Sequence, residues 1–184
     1  MRLAPIENPR HLVTRIVYWM TKRRLGKVMT PMKVVYARMP KIFPLVYQEV
    51  RLLEKGLRID PALSFLVRTW VAMLNDCSFC IDIAKATAIR KHMTLDKFDA
   101  LRDYRTNLLY SDRERAALAY VEEATRHKRV TDGTFEALRR HFSEAEIVEI
   151  TWLNALENYY NLINLPLEIE SDGLCALAER RTAA

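Results

Sequence analysis

Apolar residues recur at intervals of three and four along most of the chain, and short polar segments rich in Pro, Gly, Asp and Ser separate the apolar runs. That spacing places the apolar residues on one side of an α-helix. A helix start is signalled by a proline in the first turn or by a hydroxyl or carboxylate cap. Such signals occur at Asn8-Pro9, Thr30-Pro31, Pro40, Asp60-Pro61, Asp76, Thr94, Ser111, Thr131 and Ser143. The pattern therefore predicts an all-α protein.

Two of these helix starts, and one helix, are the most strongly specified. Ser111 with Glu114, and Ser143 with Glu146, fit the capping box, in which a hydroxyl and a carboxylate satisfy two unpaired backbone N–H groups. The segment 147–163 is apolar almost all round its axis, which is typical of a helix with no solvent-facing side. We therefore predict that this segment is a central or an interface helix.

Charge is distributed unevenly along the chain. Residues 1–60 contain 13 Lys and Arg against 4 Asp and Glu, whereas residues 61–184 contain 16 against 19. We predict a basic helical arm over 1–58 that packs on a helical core over 59–184. A basic arm attracts nucleic acid or an anionic membrane surface, but packing against a neighbouring subunit is the favoured interpretation. The arm matches no nucleic-acid-binding module, so no nucleic-acid partner is expected, and membrane-surface contact is kept as an alternative.

Cysteine usage and hydropathy indicate a location. Three cysteines are too few for a secreted disulfide framework, the start of the chain lacks a signal-peptide pattern, and no apolar stretch is long enough to span a membrane. We therefore expect a protein of the reducing cytoplasm.

Cys175 and the four histidines complete no zinc-ligand set, and Ile81 stands where covalent haem attachment requires His. No metal or cofactor is expected.

The pair Cys77-Ser78-Phe79-Cys80 carries the candidate chemistry. At about 100° per residue, a spacing of three places both sulfurs on one helical face, one turn apart. With Asp76 as N-cap, the pair would occupy the first turn of a helix, where unpaired N–H groups favour a thiolate. The pattern indicates reversible disulfide chemistry; the alternative is two small hydrophobic residues on a buried helical face.

Ordered segments along the chain carry a family resemblance. They include the cysteine motif, two segments before it and three after it: 26–31, 36–40, 74–82, 98–101, 112–119 and 158–161. On these residues the chain resembles the alkylhydroperoxidase D and carboxymuconolactone decarboxylase superfamily. The resemblance implies an all-helical, AhpD-like, oligomeric fold that is commonly built from trimers. It also implies reduction of hydroperoxides by the two cysteines, which a dithiol reductant then recycles.

Carried over from the family, Cys80 matches the peroxidatic cysteine and Cys77 the resolving one. A thiolate at Cys80 would attack the peroxide and become a sulfenic acid, which Cys77 would convert to a disulfide. The family's proton relay does not carry over. Its histidine four residues after the second cysteine is Ala84 here, and its glutamate twelve residues before the first is Phe65. The histidine often found between the cysteines is Phe79.

Another group must then act as base if the chain is a peroxidase. Glu157 is an acid in an apolar helix, so burial would raise its pKa towards that of a useful base. The equal alternative is a structural, hydrogen-bonded ion pair with Arg68 or another basic residue. Asp82 points away from Cys80 by helical geometry, and Lys85 flanks it imperfectly. Several other polar groups have weaker claims: Asn158 and Asn161 as backbone braces, and Cys175 as filler or as a second resolving thiol.

We therefore predict an antioxidant oxidoreductase whose catalytic residues are Cys80, Cys77 and Glu157. Its substrate would be a hydroperoxide, and its partners a dithiol reductant and further copies of itself. A decarboxylase-like small-molecule enzyme on the same fold is an alternative, but such an enzyme needs no redox dithiol. A non-catalytic redox-sensing or assembly module is the alternative outside enzymes.

Overall fold

A computed structural model describes residues 1–182, and the side chains of residues 1–181, as helices joined by short connections. No β-strand occurs in that range, so the predicted all-α class is confirmed. The α-helices are α1 (Leu12–Leu25), α2 (Phe43–Lys55), α3 (Pro61–Leu74), α4 (Ser78–Arg90), α5 (Asp96–Asp99), α6 (Asp112–His127), α7 (Asp132–Arg139), α8 (Glu144–Asn164) and α9 (Leu174–Thr182). A π-helical turn (Met32–Tyr36) and three 3₁₀ turns (Pro40–Ile42, Leu101–Asp103 and Leu165–Leu167) lie between them.

The strongest sequence signals act as predicted. Ser111 and Ser143 each accept a hydrogen bond from the backbone N–H three residues on, and the glutamate at that position accepts one in return from the serine N–H. Both capping boxes are therefore present. Gly26 ends α1 with a φ of 88°, a left-handed conformation that glycine adopts without steric cost.

The predicted role of Asp76 is wrong. Asp76 has a φ of 53°; its N–H donates to the Met73 carbonyl, while the Cys77 N–H donates to that of Ala72. These two bonds form a Schellman motif, so Asp76 ends α3 rather than capping α4. Cys77 itself is the N-cap of α4, without a side-chain capping bond.

Two further helix starts fall later than predicted. α1 begins at Leu12 rather than at Pro9, after a segment of bends. Thr94 does not cap a helix, because α5 is a single turn that begins at Asp96 and is followed by the 3₁₀ turn.

Helices α3, α6 and α8 form the main core. Helix α8 packs against α3, α6 and α7, and its Ile150 and Leu153 are fully buried among Val67 and Leu118. Its predicted central position is confirmed. A smaller apolar cluster joins α4 to α9 and contains both Cys77 and Cys80.

The N-terminal segment lies against this core through scattered polar contacts. The Arg2 Nε donates to the Glu168 Oε1 at 2.9 Å, and Lys27 pairs with Asp172 at 2.9 Å. Nothing in these contacts tests the predicted division of the chain at residue 58. Within the described residues, no helix is long and apolar enough to cross a membrane.

One face of α1 is apolar and exposed. It carries Leu12, Ile16, Trp19 and Met20, and the Trp19 side chain is 61% exposed. Helix α8 buries most of its apolar residues within the chain, leaving Val148 and Leu162 exposed. Of these two helices, α1 therefore carries more of the apolar surface that self-association would bury.

We predict that this face of α1 mediates self-association. Sedimentation at micromolar concentration should give more than a monomer for the natural chain, and Trp19→Glu should lower the mass, because a carboxylate would be desolvated in the contact. Leu108→Glu is the matched control, since Leu108 is 95% exposed and outside this face. A natural chain that stays monomeric throughout would contradict the prediction.

Candidate active site

The two cysteines lie at the start of α4 and form a disulfide. Cys77 is the N-cap and Cys80 the third helical residue; their Cα atoms are 5.3 Å apart, within the usual range for a disulfide. The predicted proximity of the two sulfurs is therefore confirmed. The Cys77 side chain is 0% exposed and that of Cys80 4%.

Cys80 faces a cavity of about 320 Å³, and Cys77 does not line it. The cavity lies between α1, α2, α3, α4 and α8, and its walls are mostly apolar. Among the lining residues are Met20, Leu25, Met29, Val46, Leu53 and Ile83. A small molecule in this cavity would meet the sulfur of Cys80 first, which matches the predicted order of the two cysteines.

A buried carboxylate lies on the α8 side of the same cavity. Glu157 is 3% exposed and forms an ion pair with the Arg68 Nε at 3.1 Å. Burial raises the pKa of the Glu157 carboxyl above its usual value, and the charge of Arg68 and hydrogen bonds from Asn161 and Arg68 offset only part of that effect. The predicted ion pair with Arg68 and the predicted rise in pKa are therefore both present, and the role of Glu157 as a base stays a prediction.

Asn161 connects the carboxylate to the sulfur. Its Nδ2 donates to the Glu157 Oε1 at 3.0 Å and lies 3.1 Å from the Cys80 Sγ. The Nδ2 of Asn164 also lies 3.5 Å from that sulfur. N–H groups directed at sulfur stabilise a thiolate more than a thiol, so this arrangement favours ionised Cys80.

The orientation of the Asn161 amide is fixed by Asn75, the residue just after α3. The Asn75 Nδ2 donates to the Asn161 Oδ1 at 2.8 Å and to the Asn158 Oδ1 at 3.0 Å. With its oxygen occupied in this way, Asn161 presents its two N–H groups to Glu157 and Cys80. The turn between α3 and α4 therefore positions the α8 amide as well as the cysteines.

Sequence reasoning missed the roles of Asn161 and Asn164. A signal was available: Glu157, Asn161 and Asn164 follow one another at intervals of four and three, and so share a face of an otherwise apolar helix. A polar stripe of this kind must satisfy its hydrogen bonds with something buried beside it. The expectation that Asn161 only braces the backbone is wrong, because its amide contacts Cys80 and Glu157.

The two positions of the family's relay are part of the cavity wall. Phe65 and Ala84, which stand at the sequence positions of the family's glutamate and histidine, both line it. Neither side chain can transfer a proton. Glu157 is the carboxylate that lines this cavity beside Cys80 and Arg68.

The other candidate groups have structural partners. The Asp82 carboxylate accepts three backbone N–H bonds, from Asp172, Leu174 and Cys175, at 2.7–3.0 Å, and so fixes the start of α9. Lys85 pairs with Asp99 on the surface. Cys175 is half-buried in α9, and its sulfur is 3.8 Å from Glu179.

No protein-family model matches the sequence, but individual proteins do. The chain is 34% identical over 173 residues to the uncharacterized protein YnjA of Escherichia coli (strain K12), which covers 93% of this chain and 94% of YnjA. It is 29% identical over 104 residues to the uncharacterized protein YdfG of Bacillus subtilis (strain 168), which covers 55% of this chain and 71% of YdfG.

Solved structures share the fold. Protein ATU0492 of Agrobacterium tumefaciens, related to the antioxidant defence protein AhpD, has a TM-score of 0.68 at 25% identity over 75% of this chain and 96% of its own. A peroxidase-related protein from Silicibacter sp. TM1040 has a TM-score of 0.77 at 20% identity, covering 90% and 87%. The debrominase Bmp8, in complex with 2,3,4-tribromopyrrole, has a TM-score of 0.82 at 17% identity, covering 98% and 97%. The last two similarities concern the fold alone.

The fold, the cysteine pair and these relatives define the class of protein. The chain belongs to the same family as YnjA, to which it aligns over almost its whole length, and its structural neighbours place it in the AhpD-like superfamily. The resemblance drawn from the sequence motifs is thereby confirmed. The neighbour at 25% identity, ATU0492, is described as an antioxidant defence protein.

The raised pKa of Glu157 predicts a pH dependence of stability. Folded Glu157 holds its proton to a higher pH than the unfolded chain, whose carboxyl titrates near 4.5. The free energy of unfolding should therefore fall as the pH rises from about 4.5 through the folded pKa of Glu157. Glu157→Gln removes this titration, so its stability relative to the natural chain should increase over that range.

Chemical denaturation at a series of pH values measures this difference. The unpaired Arg68 lowers the stability of Glu157→Gln by an amount that does not change over this range, so the slope reports the carboxyl alone. Glu170→Gln, which removes an exposed carboxyl, is the control and should show no such trend. A pH-independent difference for Glu157→Gln would contradict the assignment.

Proposed function

We propose that this protein reduces hydroperoxides with Cys80 and is reset by a dithiol reductant through the Cys77–Cys80 disulfide. The observation that carries the proposal is that Cys80 lies at the wall of a mostly apolar cavity, with Cys77 behind it at bonding distance. An attacking sulfur needs access to its substrate, and a resolving sulfur needs access only to the first. The burial of the two cysteines fits that division of roles.

The reaction begins with the Cys80 thiolate. Its sulfur attacks the terminal oxygen of the hydroperoxide, the O–O bond breaks, and Cys80 becomes a sulfenic acid while an alkoxide leaves. The alkoxide takes up a proton and departs as an alcohol. The Cys77 thiol then attacks the Cys80 sulfur, so that an S–S bond forms, the S–O bond breaks and water leaves. A dithiol restores both thiols with two electrons and two protons.

Glu157 is the proton-exchanging group in this proposal. The carboxylate accepts the proton that Cys80 loses and returns it to the leaving alkoxide in the shared cavity. Its raised pKa brings it closer to neutral pH, which favours proton transfer in both directions. Asn161 is a positioning residue: its two hydrogen bonds fix the position of the Glu157 carboxylate relative to the Cys80 sulfur.

Turnover with a dithiol tests the proposal. The reduced protein should consume about one equivalent of cumene hydroperoxide quickly and form one disulfide. Cys80→Ser should abolish consumption. Without the dithiol, Cys77→Ser should consume one equivalent and stop at the Cys80 sulfenic acid, because no neighbouring thiol is left to form the disulfide. Cys175→Ser is the matched thiol control and should behave like the natural chain. Consumption that survives Cys80→Ser would refute the mechanism.

The pH dependence of turnover separates Glu157 from a purely structural group. As a base, Glu157 is active only above its raised pKa, so the rate should fall as the pH is lowered through that value. Glu157→Gln should lower the rate by roughly 10²-fold or more and abolish this limb of the profile. If the rate of Glu157→Gln still falls as the pH is lowered, the group that titrates is another residue.

Restoring the family's histidine tests whether its absence limits the rate. Ala84 lies one turn beyond Cys80 on the cavity wall, so Ala84→His should place an imidazole near the sulfur and raise turnover, with about 10²–10⁴-fold as the upper bound. Thr87→His is the control, because it adds the same ring to the cavity a further turn away. If both variants raised turnover equally, the increase would not depend on the position of the histidine, and position 84 would have no specific role in proton transfer.

The same measurements distinguish the alternatives. A redox-sensing or assembly module would form the disulfide without turning over with a dithiol, because no second substrate would engage the oxidised pair. A decarboxylase-like enzyme would keep its activity in Cys77→Ser and Cys80→Ser. The first outcome would identify the protein as a redox sensor rather than an enzyme. The second would show that the cysteines take no part in the reaction.

A further inference from the structure

The cavity has a cationic region about three helical turns along α4 from Cys80. Arg24 of α1, Arg90 of α4 and Lys91 all line it, and the acidic residue among them is Glu54. Arg24 pairs with Glu54, and the Lys91 ammonium lies over the Phe65 ring, 5.1 Å from its centroid. The region therefore has more positive than negative charge.

Arg90 is the cation of this group that lacks a partner. Among residues 1–181, no acceptor lies within hydrogen-bond or ion-pair distance of its half-buried guanidinium. Burial and the nearby charges of Arg24 and Arg181 lower the pKa of Arg90, and the charge of Glu54, which is already paired with Arg24, offsets only part of that effect. Arginine nonetheless stays protonated in proteins, so an anion that enters the cavity would be attracted to it.

One side of α4 connects this cation to the sulfur. Cys80, Ala84, Thr87 and Arg90 line the cavity in sequence. The ten residues from Cys80 to Arg90 span roughly 15 Å of helix, and the length of the arginine side chain lets it reach part of that way back. The space between the two ends is bounded mainly by apolar side chains.

We propose that the site takes organic acids with an apolar body, held by a carboxylate at Arg90 and presenting a hydroperoxide to Cys80. This inference rests on the proposed function for the hydroperoxide end, and on the unpartnered Arg90 for the carboxylate end. The guanidinium has the planar fork that matches a carboxylate with two hydrogen bonds, and the cavity volume lies at the lower end of small-molecule pockets. Hydrogen peroxide would use neither feature.

Binding of an unreactive acid tests the carboxylate end without any turnover. Decanoate should bind the natural chain about tenfold or more tightly than decanol, as measured by calorimetry, because a charge-assisted hydrogen bond contributes that much. Arg90→Gln should remove the preference, Arg90→Lys should keep part of it, and Arg102→Gln, an exposed arginine outside the cavity, should leave it unchanged. Equal binding of decanoate and decanol, or a preference that survives Arg90→Gln, would overturn the inference.

Kinetics with a matched pair of peroxides tests the whole inference. Linoleic acid hydroperoxide should have a larger kcat/KM than its methyl ester. In Arg90→Gln the two kcat/KM values should become similar, mainly because the KM for the acid rises. Retained decanoate preference without turnover of any peroxide would refute the proposed function and leave the anion site in place. Turnover of both peroxides at equal rates would leave the proposed function in place and refute the carboxylate preference.

Discussion

The site depends on one buried side-chain amide. Asn161 of α8 lies within hydrogen-bond distance of the Cys80 sulfur and of the Glu157 carboxylate, and receives its own hydrogen bond from Asn75. Each of these groups is costly to bury without a partner, so the amide stabilises the packing of α8 against α3 and α4 at the same time as it orients the chemistry. A shift of any of these helices would break several buried hydrogen bonds together.

The junction between α3 and α4 supplies the other half of the geometry. Because Asp76 adopts a left-handed conformation, α3 ends in a Schellman motif, and Cys77, one residue later, is the N-cap of α4. Cys77 is thereby buried against Ala72 in the α4–α9 cluster, while Cys80 is turned towards the cavity. The asymmetry between the two sulfurs therefore comes from the backbone of the turn.

Local signals in the sequence were enough to predict the all-helical class, the capping boxes, the central position of α8 and the proximity of the cysteines. That Asp76 ends α3 rather than capping α4 could not be predicted, because an aspartate between two helices is compatible with the end of one and with the start of the next. The contact between Asn161 and Cys80 joins residues 81 positions apart and depends on how α8 packs on α4. The cationic region likewise requires α1 and α4 to meet, and helical periodicity alone does not specify that.

The central claim is that Cys80 is the residue that reacts with peroxide. Its most direct measurement uses the Cys77→Ser variant, in which the first oxidation product is not converted to the Cys77–Cys80 disulfide. After one equivalent of cumene hydroperoxide, a sulfenic-acid-specific reagent such as dimedone should label this variant, and mass spectrometry should place the adduct on Cys80. An adduct confined to Cys175, or peroxide consumption with no adduct on Cys80, would contradict the account.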